Sequence, residues 1–96
     1  MTKYDDLVND YQMAIDVIAT YFDISKSELL VKNTENVVDA RYCLIYILCE
    51  KYKDADIAKV CNISKSVVNK IRNQVNAKMR NKFFYYDLNK VKMLLC

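Results

Sequence analysis

The stretch from Asp54 to Asn73, DADIAKVCNISKSVVNKIRN, allows fewer folds than any other part of the chain. Its apolar residues Ile57, Val60, Cys61, Val68 and Ile71 fall where two short helices must pack on each other and on a shared core. Ala58 is small where the second helix would cross the first. Asn62 precedes Ile63 at a turn position that needs a left-handed backbone, usually supplied by Gly and next most cheaply by Asn. Ser64 then stands where a side chain caps the second helix. The pattern predicts a helix-turn-helix, its first helix capped by Asp54 and its second running from Ser64 to about Lys78.

On that second helix Val68, Ile71, Val75 and Met79 form the inward stripe. Lys65, Ser66, Asn69, Lys70 and Asn73 point outward, the kind of side chains that a recognition helix lays into a DNA major groove. A turn of this type also occurs as plain scaffold, so the rest of the chain has to decide between the two uses.

Charge distribution favours the first. Residues 1–58 carry six cations against eleven acids, a net −5, whereas residues 59–96 carry nine cations against Asp87 alone, a net +8. The basic half begins inside the proposed motif and runs along its second helix. Phosphate neutralisation with counterion release makes a polyanion the natural partner of such a surface, and double-stranded DNA is the expected one. Lys65, Ser66 and Asn69 are the candidate base readers, because Lys donates to guanine and Asn pairs both ways with adenine. Lys59, Lys70 and Arg72, with Lys32 across a loop, are the candidate phosphate contacts.

The remaining composition excludes other classes. A chain of 96 residues without Gly, Pro or Trp lacks the punctuation of strands and hairpins. One all-α domain over residues 1–96 is predicted, a compact bundle of five to six helices. Cys43, Cys49, Cys61 and Cys96 show no C-x-x-C spacing and there is no His, so no metal or cofactor is expected. Without paired catalytic groups the chain does not read as an enzyme, and no small-molecule substrate suggests itself. There is neither an apolar run of about 18 residues nor a charged-then-apolar leader. A cytoplasmic protein with no membrane partner is expected.

Elsewhere, Thr2 is the predicted cap of a first helix over about residues 3–22, with Leu7, Tyr11, Ala14, Ile15, Ile18 and Phe22 inward. Ser25 and Glu28 have capping-box spacing ahead of a short helix over about 25–31. A loop at 32–36, with Asn33 or Thr34 as cap, leads into a helix from Glu35 to about Tyr52, apolar around most of its circumference and therefore central. The last segment, NKFFYYDLNKVKMLLC, predicts a terminal helix that buries Phe83, Phe84, Leu88, Val91, Leu94 and Leu95. It either folds back on the first helix, the favoured monomeric arrangement, or pairs in a homodimer. An apolar tail of this kind also suits a helical protein-interaction adaptor, the alternative to DNA binding.

In the order of its parts the chain resembles the C-terminal DNA-binding domain of the bacterial replication initiator DnaA, which belongs to the Trp-repressor-like helix-turn-helix proteins. The matching segments are VIATYFDISKSELL (17–30), ARYCLIYILCE (40–50) and DIAKVCN (56–62), within about residues 13–80. The family signature G-R-D-H-T-T-V is represented here by Ile63-Ser64-Lys65-Ser66-Val67, shorter and without the Asp-His pair. The basic loop before the A-R helix is here Lys32-Asn33-Thr34-Glu35-Asn36, with one cation. The resemblance therefore implies the fold and duplex binding more than the family's site preference, in a stand-alone module serving replication initiation or transcription regulation. It matches Ser66 to a Thr that approaches DNA and Arg41 to an Arg that serves the structure.

Overall fold

The computed structural model describes residues 3–95 and consists, among these, of five α-helices joined by short turns. They are α1 (Lys3–Phe22), α2 (Glu35–Cys49), α3 (Asp54–Cys61), α4 (Lys65–Lys78) and α5 (Lys82–Leu95), with one 3-10 turn (Lys26–Glu28) between α1 and α2. The all-α bundle predicted from the sequence is what the chain forms. No helix of the described residues is long and apolar enough to cross a membrane. Thr2 and Cys96 lie outside the described residues.

The nearly all-round apolar α2 is the central element, packed on α1, α3, α4 and α5. It buries Val37, Ala40, Cys43, Leu44, Ile45 and Leu48. Around it Leu7, Ile18 and Phe22 of α1, Ile57 of α3, Val68 and Val75 of α4, and Phe84 and Leu88 of α5 complete one core. Burial holds the thiols protonated, pushing Cys43 and Cys61 up to about 12 and Cys49 up to about 11. Cys43 and Cys61 thus behave as small apolar side chains, and Cys49 is half-buried.

Both helix ends that need a reversal use the same device. Asn62 adopts φ 57°, ψ 45°, and the next amide, of Ile63, donates to the Ala58 carbonyl at 3.0 Å while its own donates to Lys59 at 3.3 Å. This pair of bonds is a Schellman motif, and it ends α3 at the left-handed position that the sequence predicts. Asp23 does the same after α1, with φ 55° and bonds from Asp23 to Thr20 and from Ile24 to Ala19. Ser64 caps α4 as expected, its Oγ accepting from the Val67 amide at 3.2 Å.

Several local expectations give way to tertiary contacts. The short helix over 25–31 is only a three-residue 3-10 turn, and the Ser25 hydroxyl donates to the Glu28 carboxylate at 3.1 Å instead of capping the backbone. Arg41 of α2 donates to the Leu29 and Lys32 carbonyls, at 3.1 and 2.6 Å, and so ties the chain that follows this turn to α2. Thr34 is the N-cap residue of α2 but makes no side-chain cap bond. α2 stops at Cys49 and not near Tyr52, whose hydroxyl reaches Asp10 on α1.

α5 folds back on α1, where the Tyr21 hydroxyl donates to Asp87 at 2.8 Å. Its buried stripe is Phe84, Leu88 and Val91, with Leu95 half-buried. Phe83 and Leu94, expected inside, are 83% and 60% exposed. Asn81 starts the helix by accepting from the Phe83 and Phe84 amides at 2.9 and 3.4 Å, and the spacing of Phe84, Leu88 and Val91 turns that stripe to the core.

Candidate nucleic-acid interface

α3, the turn 62–64 and α4 form the helix-turn-helix, and its outer side holds the candidate contacts. Because Val68, Ile71 and Val75 anchor the opposite side of α4 in the core, the phase of the helix is set and Lys65, Ser66 and Lys70 are exposed. With Asn69 these three line one shallow, open depression. Lys65 and Lys70 have no acidic partner among the described residues, which leaves both ammonium groups free for an anion. The Ser66 hydroxyl lies 3.1 Å from that of Ser64, so cap and candidate reader share the first turn.

Asn69 is not a free side chain. It is half-buried, and its amide donates to Asp54 Oδ2 of α3 at 3.1 Å while its Oδ1 accepts from Asn73 Nδ2 at 3.0 Å. The same Asp54 oxygen holds the Arg72 guanidinium at 3.1 Å. Asp54 therefore does not cap α3; Lys53 is the N-cap residue, and the Asp54 side chain, 10% exposed, ties α3 to α4. Arg72 shares its face with Lys65 and Asn69, but its charge is matched within the protein.

The other candidates are more dispersed. Lys59 on α3 is exposed, its ammonium 4.9 Å from the centre of the Tyr4 ring on α1, a contact that leaves its charge unneutralised. Lys32 lies in the connection ahead of α2, bridged to Glu28 at 3.3 Å. Arg41 beside it serves the structure, donating to Leu29, Lys32 and Asn33. Lys78 is likewise committed, bridging to Asp39 at 2.6 Å and lying over the Tyr42 ring.

One cation escaped the sequence reading. Lys53 is exposed and lines, together with Asp54, Lys65, Asn69 and Arg72, a second open groove between α3 and α4. A charge tally by halves of the chain assigns it to the acidic half; only its place next to α3 could have singled it out.

The helix-turn-helix within an all-α bundle is thus the class of fold that carries these residues. Comparison of the chain with protein-family models, with curated proteins and with solved structures finds no match.

Proposed function

We propose that this chain binds double-stranded DNA, laying α4 into the major groove in the manner of a helix-turn-helix module. The observation that carries the reading is the unpaired pair Lys65 and Lys70, exposed with Ser66 on the first turns of a helix that directly follows the Asn62 reversal. Two free ammonium groups beside a hydroxyl suit a surface of phosphates and base edges. Base edges fall to Lys65, Ser66 and the Asn69 cluster. Phosphates fall to Lys59 and Lys70, joined by Arg72 and Lys32 where these leave the carboxylates they hold. Whether the module serves replication initiation, as the resemblance to the DnaA domain suggests, or transcription regulation depends on the site it selects.

A fluorescence-anisotropy titration with a random duplex at two salt concentrations tests the reading. Binding that weakens as salt rises, through displaced counterions, is expected. Absence of binding at low salt overturns it.

A specific observation favours a second reading. Phe83, Tyr85, Tyr86, Met93 and Leu94 stay exposed along the outer side of α5, more apolar surface than a solvated helix needs. A helical adaptor would use that side, and it would bind a protein partner irrespective of salt-sensitive duplex affinity.

A further inference from the structure

The side chains of Asp54, Asn69 and Asn73 form a chain of hydrogen bonds with only one possible direction. An ionised carboxylate only accepts, so the Asn69 group facing Asp54 Oδ2 at 3.1 Å has to be its NH2 end. That choice turns Asn69 Oδ1 toward Asn73. The facing group of Asn73 has to be NH2 in turn, and the two meet at 3.0 Å. Amide ends are normally interchangeable by a half-turn, but here flipping either one would set two acceptors or two donors against each other. Arg72, 3.1 Å from the same Asp54 oxygen, supports the carboxylate as the ionised origin of the chain.

What the chain leaves over is specific. Asn73 is exposed, and after donating one proton to Asn69 its amide keeps a second N–H and a carbonyl oxygen that bonds to none of the described residues. Adenine presents the complementary pair in the major groove, an acceptor at N7 and a donor at N6. A guanine presents two acceptors there, which the fixed carbonyl of Asn73 would repel.

Resting on the duplex-binding reading, we infer that Asn73 reads adenine, and that Asp54 and Asn69 are positioning residues that fix the orientation of its amide. Asn69 acts through Asn73, since both ends of its own amide are already engaged. Pre-orientation removes the need to order the reading side chain on binding, so discrimination is obtained at one base pair without added affinity for all duplexes.

The experiment starts from the parent protein, which selects its preferred site from a pool of randomised duplexes. The parent, Asn73→Ala, Asn69→Ala and Asp54→Asn are then titrated with that site, with versions in which each adenine in turn is replaced by an analogue lacking N7, and with random duplex. Thermal melting reports that each variant is folded. One adenine is expected at which loss of N7 weakens the parent about tenfold. Asn73→Ala, which removes an exposed side chain, should lose the same factor and become indifferent to the analogue. Asn69→Ala should relax preference at that same base pair with random-duplex affinity unchanged, and Asp54→Asn should relax it likewise while the released Arg72 strengthens binding to all duplexes about equally, outcomes that a purely structural role would not produce. Asn73→Ala retaining the parental preference overturns the inference and leaves DNA binding standing, as does a parent that binds duplex but selects no such adenine. A parent that binds no duplex at low salt overturns the function itself, and this assignment with it.

Discussion

The Arg72 guanidinium lies 3.1 Å from the Asp54 carboxylate, so one of the most central cations of α4 is spent on holding α3. Its loss should be felt in stability before it is felt in binding. Arg72→Ala leaves a carboxylate only 10% exposed with Asn69 and the Cys49 thiol as its remaining side-chain partners, at a cost of about 1–2 kcal/mol. Lys59→Ala and Lys70→Ala should melt like the parent and weaken every duplex about equally, while Lys65→Ala costs roughly 1–3 kcal/mol on a preferred site and little on random DNA. Anisotropy and thermal melting on the same four variants separate these effects; an Arg72→Ala protein with parental stability and the largest loss of affinity would contradict the assignment.

Asn62→Gly should be neutral or slightly stabilising, since Gly adopts φ 57° at no steric cost, whereas Asn62→Val should lose on the order of 1–2 kcal/mol. Asp23, at φ 55°, should respond in the same way to Gly and Val. Denaturant midpoints measure both pairs, and equal midpoints for Gly and Val at either position would deny the left-handed turn there.

Of the described Ser and Thr residues at helix or 3-10 starts, Ser25, Thr34 and Ser64, only Ser64 makes its side-chain cap bond. Ser64→Ala removes the bond to the Val67 amide and should cost about 1 kcal/mol. Ser25→Ala and Thr34→Ala, which lose no side-chain cap bond, should cost about half of that or less. Chemical denaturation ranks them, and a Ser25 or Thr34 variant at least as damaged as the Ser64 one would reverse the conclusion.

Neighbouring phenylalanines should differ by most of a domain's stability. Phe84, 1% exposed, meets the core, and Phe84→Ala should cost about 3–5 kcal/mol; Phe83, 83% exposed, should tolerate Ala within about 0.5 kcal/mol. Truncation after Arg80 removes Phe84, Leu88 and Val91 together and should leave a chain without a cooperative melting transition. A truncated protein that melts like the parent would show that α5 is dispensable to the core.

Alkaline pH should loosen the contacts of α1. Burial and then the bond to Asp87 push the Tyr21 hydroxyl up to about 12; the bond to Asp10 and then burial push Tyr52 up to about 12. Both lie above the ordinary value of about 10, so folding favours the protonated phenols. Their contribution is fully present below about 10, and it is lost as pH rises through the folded values. Melting temperature should fall across that window, and a Tyr21→Phe, Tyr52→Phe double variant should fall less steeply. Identical alkaline profiles for parent and variant would place the loss elsewhere.

The sequence by itself determined the elements whose causes lie within a few residues. Gly-free and Pro-free helical periodicity, the Asn62 reversal and the Ser64 cap depend on backbone sterics and on bonds spanning three to five positions, all visible in local order. The exposed first turns of α4 were legible for the same reason, because Val68, Ile71 and Val75 set the phase of the helix. Tertiary structure alone decided where the longer side chains go. Asp54 reads as a cap until α4 brings Asn69, fifteen positions away, and Arg72 within reach of its carboxylate. The 25–31 segment reads as a helix from its spacing, but it forms only a 3-10 turn whose exit is held to α2 by Arg41, twelve positions past Leu29. The stripe Phe84, Leu88, Val91 and Leu95 of α5 is legible too, because a helix turned by one residue would bury Asp87 and Lys90 or Asn89 and Lys92, but that Phe83 and Leu94 stay outside was settled by the surface that α1 and α2 offer. Polar side chains choose among partners that the chain order does not rank, since each partner arrives only when the helices pack.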